Sequence, residues 1–348
     1  MTKLLYFGSV PAPYQNEFWK ECEKSINVLS IYLYSKQSGH DWKIKKINNQ
    51  TILEHNILYL PGLLRLCKQI YLFKPDSILI GGYKLKYVIP IIALSHLMKV
   101  EIIFWLEKPL PGSAINYFLR SLYQRLILNL GKRIFAIGKD AASYYSQLHT
   151  NVIDLPYSLD CEKFIEKDLT NNIDNPLKFL FIGQYIHRKG IQEAIQAFKR
   201  VNHKDITFDL IGGGPLNKNI NEIIDDDLRI RNLGYIENIE FPKLMKDYDV
   251  FIFPSRHDGW ALTLVESMAA GHYILGTKNT SSFNQYIKDE MQGRAITQSI
   301  ENIKDSILWC IDNASIVRNG GLRNQEYIKT TLSNSRNAAK YLQDLILK

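Results

Sequence analysis

The stretch Phe253-Pro-Ser-Arg-His-Asp-Gly-Trp-Ala-Leu-Thr-Leu-Val-Glu-Ser-Met-Ala-Ala-Gly271 decides how this chain is read. It leaves a strand-like apolar run, Val250 to Phe253, enters a loop holding Asp258 and Gly259, and continues into a helix. Seven residues separate Asp258 from Glu266, so one carboxylate is expected in the loop and the other in the first turn of the helix. A helix start also offers backbone N–H groups and a positive dipole end, which attract an anion. Thr263-Leu-Val-Glu266 has the form of a capping box, which would make Glu266 a helix-start device. That reading leaves Asp258, the glycine and the Ser-Met-Ala-Ala-Gly run unexplained.

Two earlier segments have the same strand-to-loop build. Phe179-Leu-Phe-Ile-Gly-Gln-Tyr-Ile-His-Arg-Lys-Gly190 reads as a strand, a turn at Gly183, and two cations, Arg188 and Lys189. A helix follows, with Ile191, Ala194, Ile195 and Phe198 three and four residues apart. The cations stand where they could reach an anion at the carboxyl edge of a sheet, or they are ordinary surface charges. Asp209-Leu-Ile-Gly-Gly-Gly-Pro215 runs a strand into glycines that permit close approach of a ligand, although many plain turns share this form.

Outward from these segments, short β-rich runs alternate with helical-period segments along all 348 residues, a rhythm that predicts parallel α/β layers. Strands are expected at 4–7, 28–34, 77–80, 102–105 and 134–137, then at 179–182, 208–211, 250–253 and 273–275. The length exceeds what one ordinary core fills, and each half reads as its own Rossmann-like unit. Residues 1–160 and 177–330 are the expected domains, with 161–176 as linker. Residues 331–348 are expected to form a closing helix that returns to the N-terminal domain, with Ala338, Ala339, Leu342, Leu345 and Ile346 at helical spacing.

Apolar residues at 46% and charged residues at 22% describe a globular chain and exclude disorder. Cys22, Cys67, Cys161 and Cys310 form no CxxC pair, which argues against a zinc site or a disulfide framework and fits a reducing cytoplasm. The start of the chain lacks the form of a signal peptide. The apolar stretch 87–98 falls short of the ~20 residues that cross a bilayer. Asp225-Asp-Asp227, between a helix expected to end near Ile224 and a strand expected near Ile230, reads as a solvated turn rather than a metal motif, and no metal site is expected. The net charge of +8 sits in the first half, where 19 Lys and Arg meet 11 Asp and Glu, against 24 and 24 in residues 161–348. A membrane surface, a phosphorylated acceptor or nucleic acid would suit such an excess, as would plain solvated lysine.

Taken as an ordered set over 177–287, these segments resemble the C-terminal domain of family 4 glycosyltransferases, with their Gly-Arg/Gln turn and Lys-Gly, Gly-x-Gly-Pro loop and E-x7-E motif. Val10-Pro-Ala-Pro-Tyr14, Gly81-Gly-Tyr83 and Trp105-Leu-Glu107 are similar to a bacterial subgroup of that family. The resemblance implies the GT-B fold, an α/β architecture of two Rossmann-like domains facing each other across a cleft. It further implies retaining, metal-independent transfer of a hexosyl unit from a UDP- or GDP-sugar, with no cofactor. The expected acceptor is a glycan or a polyprenyl-diphosphate-linked sugar of O-antigen or capsule synthesis. The expected place is the cytoplasm, with peripheral contact at the inner membrane surface, and nucleic acid is not an expected partner.

Carried over by residue, Lys189 binds the donor diphosphate and Glu266 accepts from the ribose hydroxyls. Asp258, Gly259, Trp260 and the amides of Leu262 and Thr263 hold the donor sugar and phosphate. Gly183, Gln184 and Gly213 line the donor turns, and Tyr235 and Ile236 contact the base through backbone. Two positions depart from the family pattern: Gln184 stands where an Arg pairs with the diphosphate, and Asp258 replaces a Glu. Arg188 is the candidate replacement cation. In the first half, Pro13 and Tyr14 shape the acceptor loop, and Glu107, at a strand's carboxyl edge, is an acceptor-facing acid or base, a group that stabilises positive charge at the anomeric carbon, or a partner of Lys108. The stripe Phe118, Leu119, Leu122, Tyr123, Leu126 and Ile127 fits either a membrane surface or core. Rival readings are a GT-B sugar-nucleotide epimerase and a nucleotide-sugar-binding scaffold without activity.

Overall fold

The computed structural model describes residues 1–35, 49–53, 60–82, 85–109, 122–164, 175–237 and 240–347. They divide into two compact units, Met1–Asp160 with Ser335–Lys348, and Cys161–Asn334.

The first unit is built on seven parallel strands. These are β1 (Lys3–Gly8), β2 (Asn27–Tyr32), β3 (Gln50–Ile52), β4 (Ser77–Gly81), β5 (Glu101–Leu106), β6 (Arg133–Ala136) and β7 (Val152–Asp154), in the order β3-β2-β1-β4-β5-β6-β7. The central strands are nearly unbroken apolar runs, such as Leu4-Leu5-Tyr6-Phe7, because both faces of a parallel sheet are covered. Helices α2 (Leu60–Phe73), α3 (Leu85–Met98), α4 (described over 122–128) and α5 (Lys139–Tyr145) join the later strands. Their buried residues, including Leu66, Ile70, Ile91, Leu128 and Tyr145, share one core with Leu5, Phe7, Ile31 and Ile80. Helix α1 (Pro13–Cys22) packs against the chain's last helix, α13 (Ser335–Ile346). The last helix buries Ala338, Ala339 and Leu342. It is tied in by Ser335 N–H to the Leu159 carbonyl at 2.9 Å and by Arg133 Nη1 to the Leu345 carbonyl at 2.6 Å.

The second unit repeats the plan with six parallel strands. These are β8 (Lys178–Gln184), β9 (Thr207–Gly213), β10 (Ile230–Gly234), β11 (Val250–Phe253), β12 (Tyr273–Gly276) and β13 (Gly293–Ala295), in the order β10-β9-β8-β11-β12-β13. Helices α6 (Ile191–Lys199), α7 (Asn217–Ile224), α8 (Phe241–Met245), α9 (Leu262–Ala269) and α10 (Ser281–Tyr286) alternate with the strands, and α11 (Ile300–Asp312) and α12 (Ala314–Thr330) close the unit. Helix α6 turns Ile191, Ala194, Ile195 and Phe198 inward, where Phe198 stacks on Phe208 at 5.1 Å and meets Phe179 edge-on at 5.7 Å. Truncating such an aromatic to Ala costs about 3 to 5 kcal/mol.

Both sheets change direction between two central strands, β1 and β4 in one and β8 and β11 in the other. In an open α/β sheet the loops at the carboxyl ends of such a pair diverge and leave room for a ligand.

Every strand expected from sequence is present, with bounds shifted by a residue or two: β2 ends at Tyr32 instead of Tyr34, and β6 runs one residue earlier than expected. The three-residue strands β3, β7 and β13 were not expected. The chain divides between Asp160 and Cys161, and Cys161–Lys163 forms a 3-10 turn within the second unit; residues 165–174 of the expected linker lie outside the described residues. Of the stripe at 118–127, residues 118–121 lie outside the described residues, while Leu122 and Leu126 are exposed and Ile127 is buried.

Candidate functional site

The second unit gathers its candidate residues at the carboxyl ends of β10, β9, β8 and β11, around its switch point. Gln184 ends β8 and pairs in register with Gly213 at the end of β9. Gly183 is not a turn but part of β8. The tight turn comes at Gly190, whose φ of +71° closes the 3-10 turn His187–Lys189 and starts α6. A Cβ there would lie 2.3 Å from the Pro254 carbonyl oxygen, so only glycine lets the cation turn lie against the loop after β11.

Backbone bonds hold the two loops together. Arg256 N–H donates to the Arg188 carbonyl at 2.8 Å, and the Ser255 hydroxyl donates to the same carbonyl at 3.3 Å. Arg256 Nη1 donates to the His187 carbonyl at 2.7 Å, and its guanidinium also pairs with Glu193. Asp258 N–H donates to the Asn279 carbonyl at 3.1 Å, which fixes the far side of its loop.

This framework brings both cations onto one carboxylate. Lys189 Nζ bonds Asp258 Oδ2, and Arg188 Nη1 reaches the same oxygen at 3.3 Å and the His257 carbonyl at 2.5 Å. Lys189 is the more enclosed, with 13% of its side chain exposed against 39% for Arg188, and it lies 4.8 Å from the Phe253 ring centroid. Low local dielectric strengthens the Lys189 pair more than the Arg188 pair.

Helix α9 begins immediately after this cluster. Its N-cap is Ala261, which has no capping side chain, so the capping box at Thr263 does not form. Leu262 and Thr263 supply the first N–H groups, which have no partner within the helix. Glu266 stands in the second turn, not the first, and burial pushes its carboxyl up to about 7. Trp260 is buried edge-on against Tyr286 at 5.7 Å, which fixes the loop between Gly259 and the helix. Tyr235 and Ile236 follow β10, Tyr235 being 53% exposed beside Gly234 in a left-handed turn. Of the Asp225–Asp227 triplet, Asp227 pairs with Arg229 at 2.7 Å and Asp225 lies 3.9 Å from Lys199, while Asp226 is exposed.

The first unit's candidates form a different group. Pro13 is the first residue of α1, where its fixed φ suits a helix start. Tyr14 packs at 5.0 Å on Tyr157, which packs at 5.2 Å on Trp105. The Tyr157 hydroxyl bonds both Tyr14 and the Glu107 carboxylate, and burial with the nearby Glu107 charge holds both phenols well above their usual range. Tyr145 donates to the Glu107 carbonyl at 2.9 Å, so Glu107 is positioned through backbone and side chain while staying exposed. Tyr157 escaped the sequence reading because Leu155-Pro-Tyr-Ser resembles a turn. The one signal was an aromatic residue set between turn formers. Tyr83, beside the expected Gly81-Gly82, lies outside the described residues.

Residues 163–325, which lie within the second unit, match the family model for glycosyl transferases group 1. Among curated proteins the chain is 29% identical over 153 residues to the uncharacterized glycosyltransferase MJ1178 of Methanocaldococcus jannaschii, covering 43% of this chain and 42% of that one. It is 22% identical over 240 residues to MJ1059 of the same organism, covering 61% and 58%. The aligned part thus spans less than two thirds of these relatives. Among solved structures, Anabaena HepE in complex with UDP and glucose superposes with a TM-score of 0.77 at 13% identity, covering all of both chains. The lipopolysaccharide outer core galactosyltransferase WaaB superposes at 0.69 with 13% identity, covering 98% of this chain and all of that one. The two Rossmann-like, parallel-sheet units therefore match GT-B glycosyltransferase structures in fold.

Proposed function

We propose that the protein is a retaining glycosyltransferase that moves a hexosyl unit from a UDP- or GDP-sugar to a glycan or polyprenyl-diphosphate-linked acceptor. Surface polysaccharide of the O-antigen or capsule kind is the proposed product, made at the cytoplasmic face of a membrane. The convergence of Arg188 and Lys189 on Asp258, at the switch point and directly before α9, carries this reading. Two cations and a helix start meeting at one point suit a diphosphate. HepE has been solved with UDP-glucose bound, which lends support to a nucleotide-sugar donor.

In this reading Asp258 holds the cations until the donor arrives, then releases them to the diphosphate and turns to the sugar. Glu266 accepts from the ribose hydroxyls. The acceptor oxygen attacks the anomeric carbon on the face from which the diphosphate leaves, and a phosphate oxygen takes its proton. Arg188, Lys189 and the α9 amides stabilise the charge left on the diphosphate, so no metal is required. Glu107, oriented by Tyr157, faces the acceptor.

The test is a panel of UDP- and GDP-sugars followed by thermal shift, then transfer from the best labelled donor with excess EDTA present. One sugar nucleotide should stabilise the protein, and transfer should proceed at an undiminished rate with the anomeric configuration kept. Epimerisation of the donor without acceptor, inhibition by EDTA that magnesium reverses, or binding without any turnover would each overturn the reading.

A further inference from the structure

Helix α2 is apolar on two sides. Leu66 and Ile70 enter the core, as a surface helix requires. The opposite side is not the usual polar face: Leu64, Tyr71 and Leu72 are 59%, 67% and 63% exposed. With Lys68 they fall at i, i+4, i+7 and i+8, one stripe along the helix, and exposed Arg65 lies beside it. Helices α3 and α4, which bury their inner residues in the same core, add exposed Leu97, Leu122 and Leu126. Not one Asp or Glu occurs in 60–73, 85–98 or 122–128.

Scattered exposed leucines need no explanation, but an apolar stripe set among cations alone does. The second unit makes the contrast, since of its exposed Leu228, Leu233, Tyr235, Met291 and Leu308 only Leu308 lies in a helix, so they form no helical stripe. It also carries no positive excess, with 21 Lys and Arg against 23 Asp and Glu in 161–334, whereas residues 1–160 carry +8. Among the described residues no helix is long and apolar enough to cross a membrane, so a lipid partner would be met at its surface.

We propose that the outer face of α2, continued by α3 and α4, docks the first unit on an anionic lipid bilayer, with Leu64, Tyr71 and Leu72 entering the interface and Arg65 and Lys68 meeting the headgroups. Leucines and a tyrosine sink a few ångströms into the headgroup boundary while the cations face anionic lipid, the arrangement of an interfacial helix. A second protein copy fits poorly, because the cations of one stripe would face those of another. The proposal deepens the lipid-linked acceptor reading and rests on it for its biological purpose, while the contact itself is a property of this face.

The experiment is co-sedimentation of the full chain with vesicles of phosphatidylcholine alone or mixed with phosphatidylglycerol, at low and high salt. Strong capture by the anionic vesicles, weakening as salt rises, is expected. The double variant Arg65→Gln/Lys68→Gln should bind them more weakly by ~5-fold for each cation removed. The triple variant Leu64→Ser/Tyr71→Ser/Leu72→Ser should lose capture at high salt. Both variants should keep the wild-type stabilisation by the sugar nucleotide, which reports the other unit and separates failure of docking from failure of the donor reading. Equal capture by neutral and anionic vesicles, no capture, or a discrete dimer abolished by the triple variant would overturn the proposal.

Discussion

The two units share a parallel-sheet plan with a switch between two central strands, yet their strand ends carry opposite chemistries. In the second unit, cations and a carboxylate from loops about 70 residues apart meet at the ends of β8 and β11. In the first, the strand ends are aromatic: Tyr6 lies 4.8 Å from Trp19 and 6.2 Å from Trp105, and Tyr157 continues the group to Tyr14 and Glu107. Paired charges suit a polyanion, which can replace one carboxylate by several charged oxygens. Aromatic rings beside a carboxylate suit a neutral, hydroxyl-rich body with one group to be activated. The fold thus supplies the location and the loops supply the chemistry.

The sharpest way to break this contrast is to remove the enclosed cation. Lys189→Ala should weaken donor affinity by ~30-fold or more, since truncating one partner of a buried, hydrogen-bonded charge pair costs about 2 to 5 kcal/mol. Arg188→Ala should cost less, because that guanidinium is more exposed and its bond to Asp258 longer. Titration calorimetry of both variants checks the ranking, and equal losses would mean that enclosure is not what separates them.

A change of pH tests the same unit without mutation. The Glu266 carboxyl, near 7 in the empty site, can accept from both ribose hydroxyls with both oxygens only when ionised. Between pH 8 and pH 6 its ionised fraction falls about tenfold, and donor affinity should fall with it. Glu266→Gln should flatten that profile. Fold stability runs the other way: the folded chain keeps a proton that the unfolded chain has released, so this group's contribution declines as pH rises from the usual carboxylate range through about 7. Chemical denaturation at several pH values, compared with Glu266→Gln, reads that opposite slope.

The first unit gives the smallest effect. Tyr157→Phe removes a hydrogen bond to an exposed carboxylate, at the lower end of the ~1.5 to 3 kcal/mol range for bonds to charged groups. A loss of roughly tenfold in kcat/KM for the acceptor is expected, with donor affinity unchanged and the pH profile for acceptor use shifted. A loss of donor affinity instead would move Tyr157 out of the acceptor group.

Much of this was legible in the chain. Long apolar strands such as Leu4 to Phe7 and Val250 to Phe253 announce themselves, because a strand covered on both faces has no polar positions to blur it. The edge strands Gln50–Ile52, Val152–Asp154 and Gly293–Ala295 do not, since three residues hold no period and are strands only through a neighbour's register. Arg188, Lys189, Asp258 and Glu266 were readable as chemistry. Their grouping was not, because the pairing of Lys189 with Asp258 spans 69 residues and depends on Gly190 passing beneath Pro254. The capping box misled for a simple reason: Thr263 satisfies the spacing, but the chain enters the helix two residues earlier.

Helix α13 has a consequence for the order of manufacture. The first unit contains residues 1–160 and 335–348, so its sequence is interrupted by the whole of the second. As the chain leaves the ribosome, the second unit has all its residues while the first still lacks the helix that covers α1. The half begun first is thus finished last, and until Ala338, Ala339 and Leu342 arrive the apolar groove awaiting them is open to chaperones.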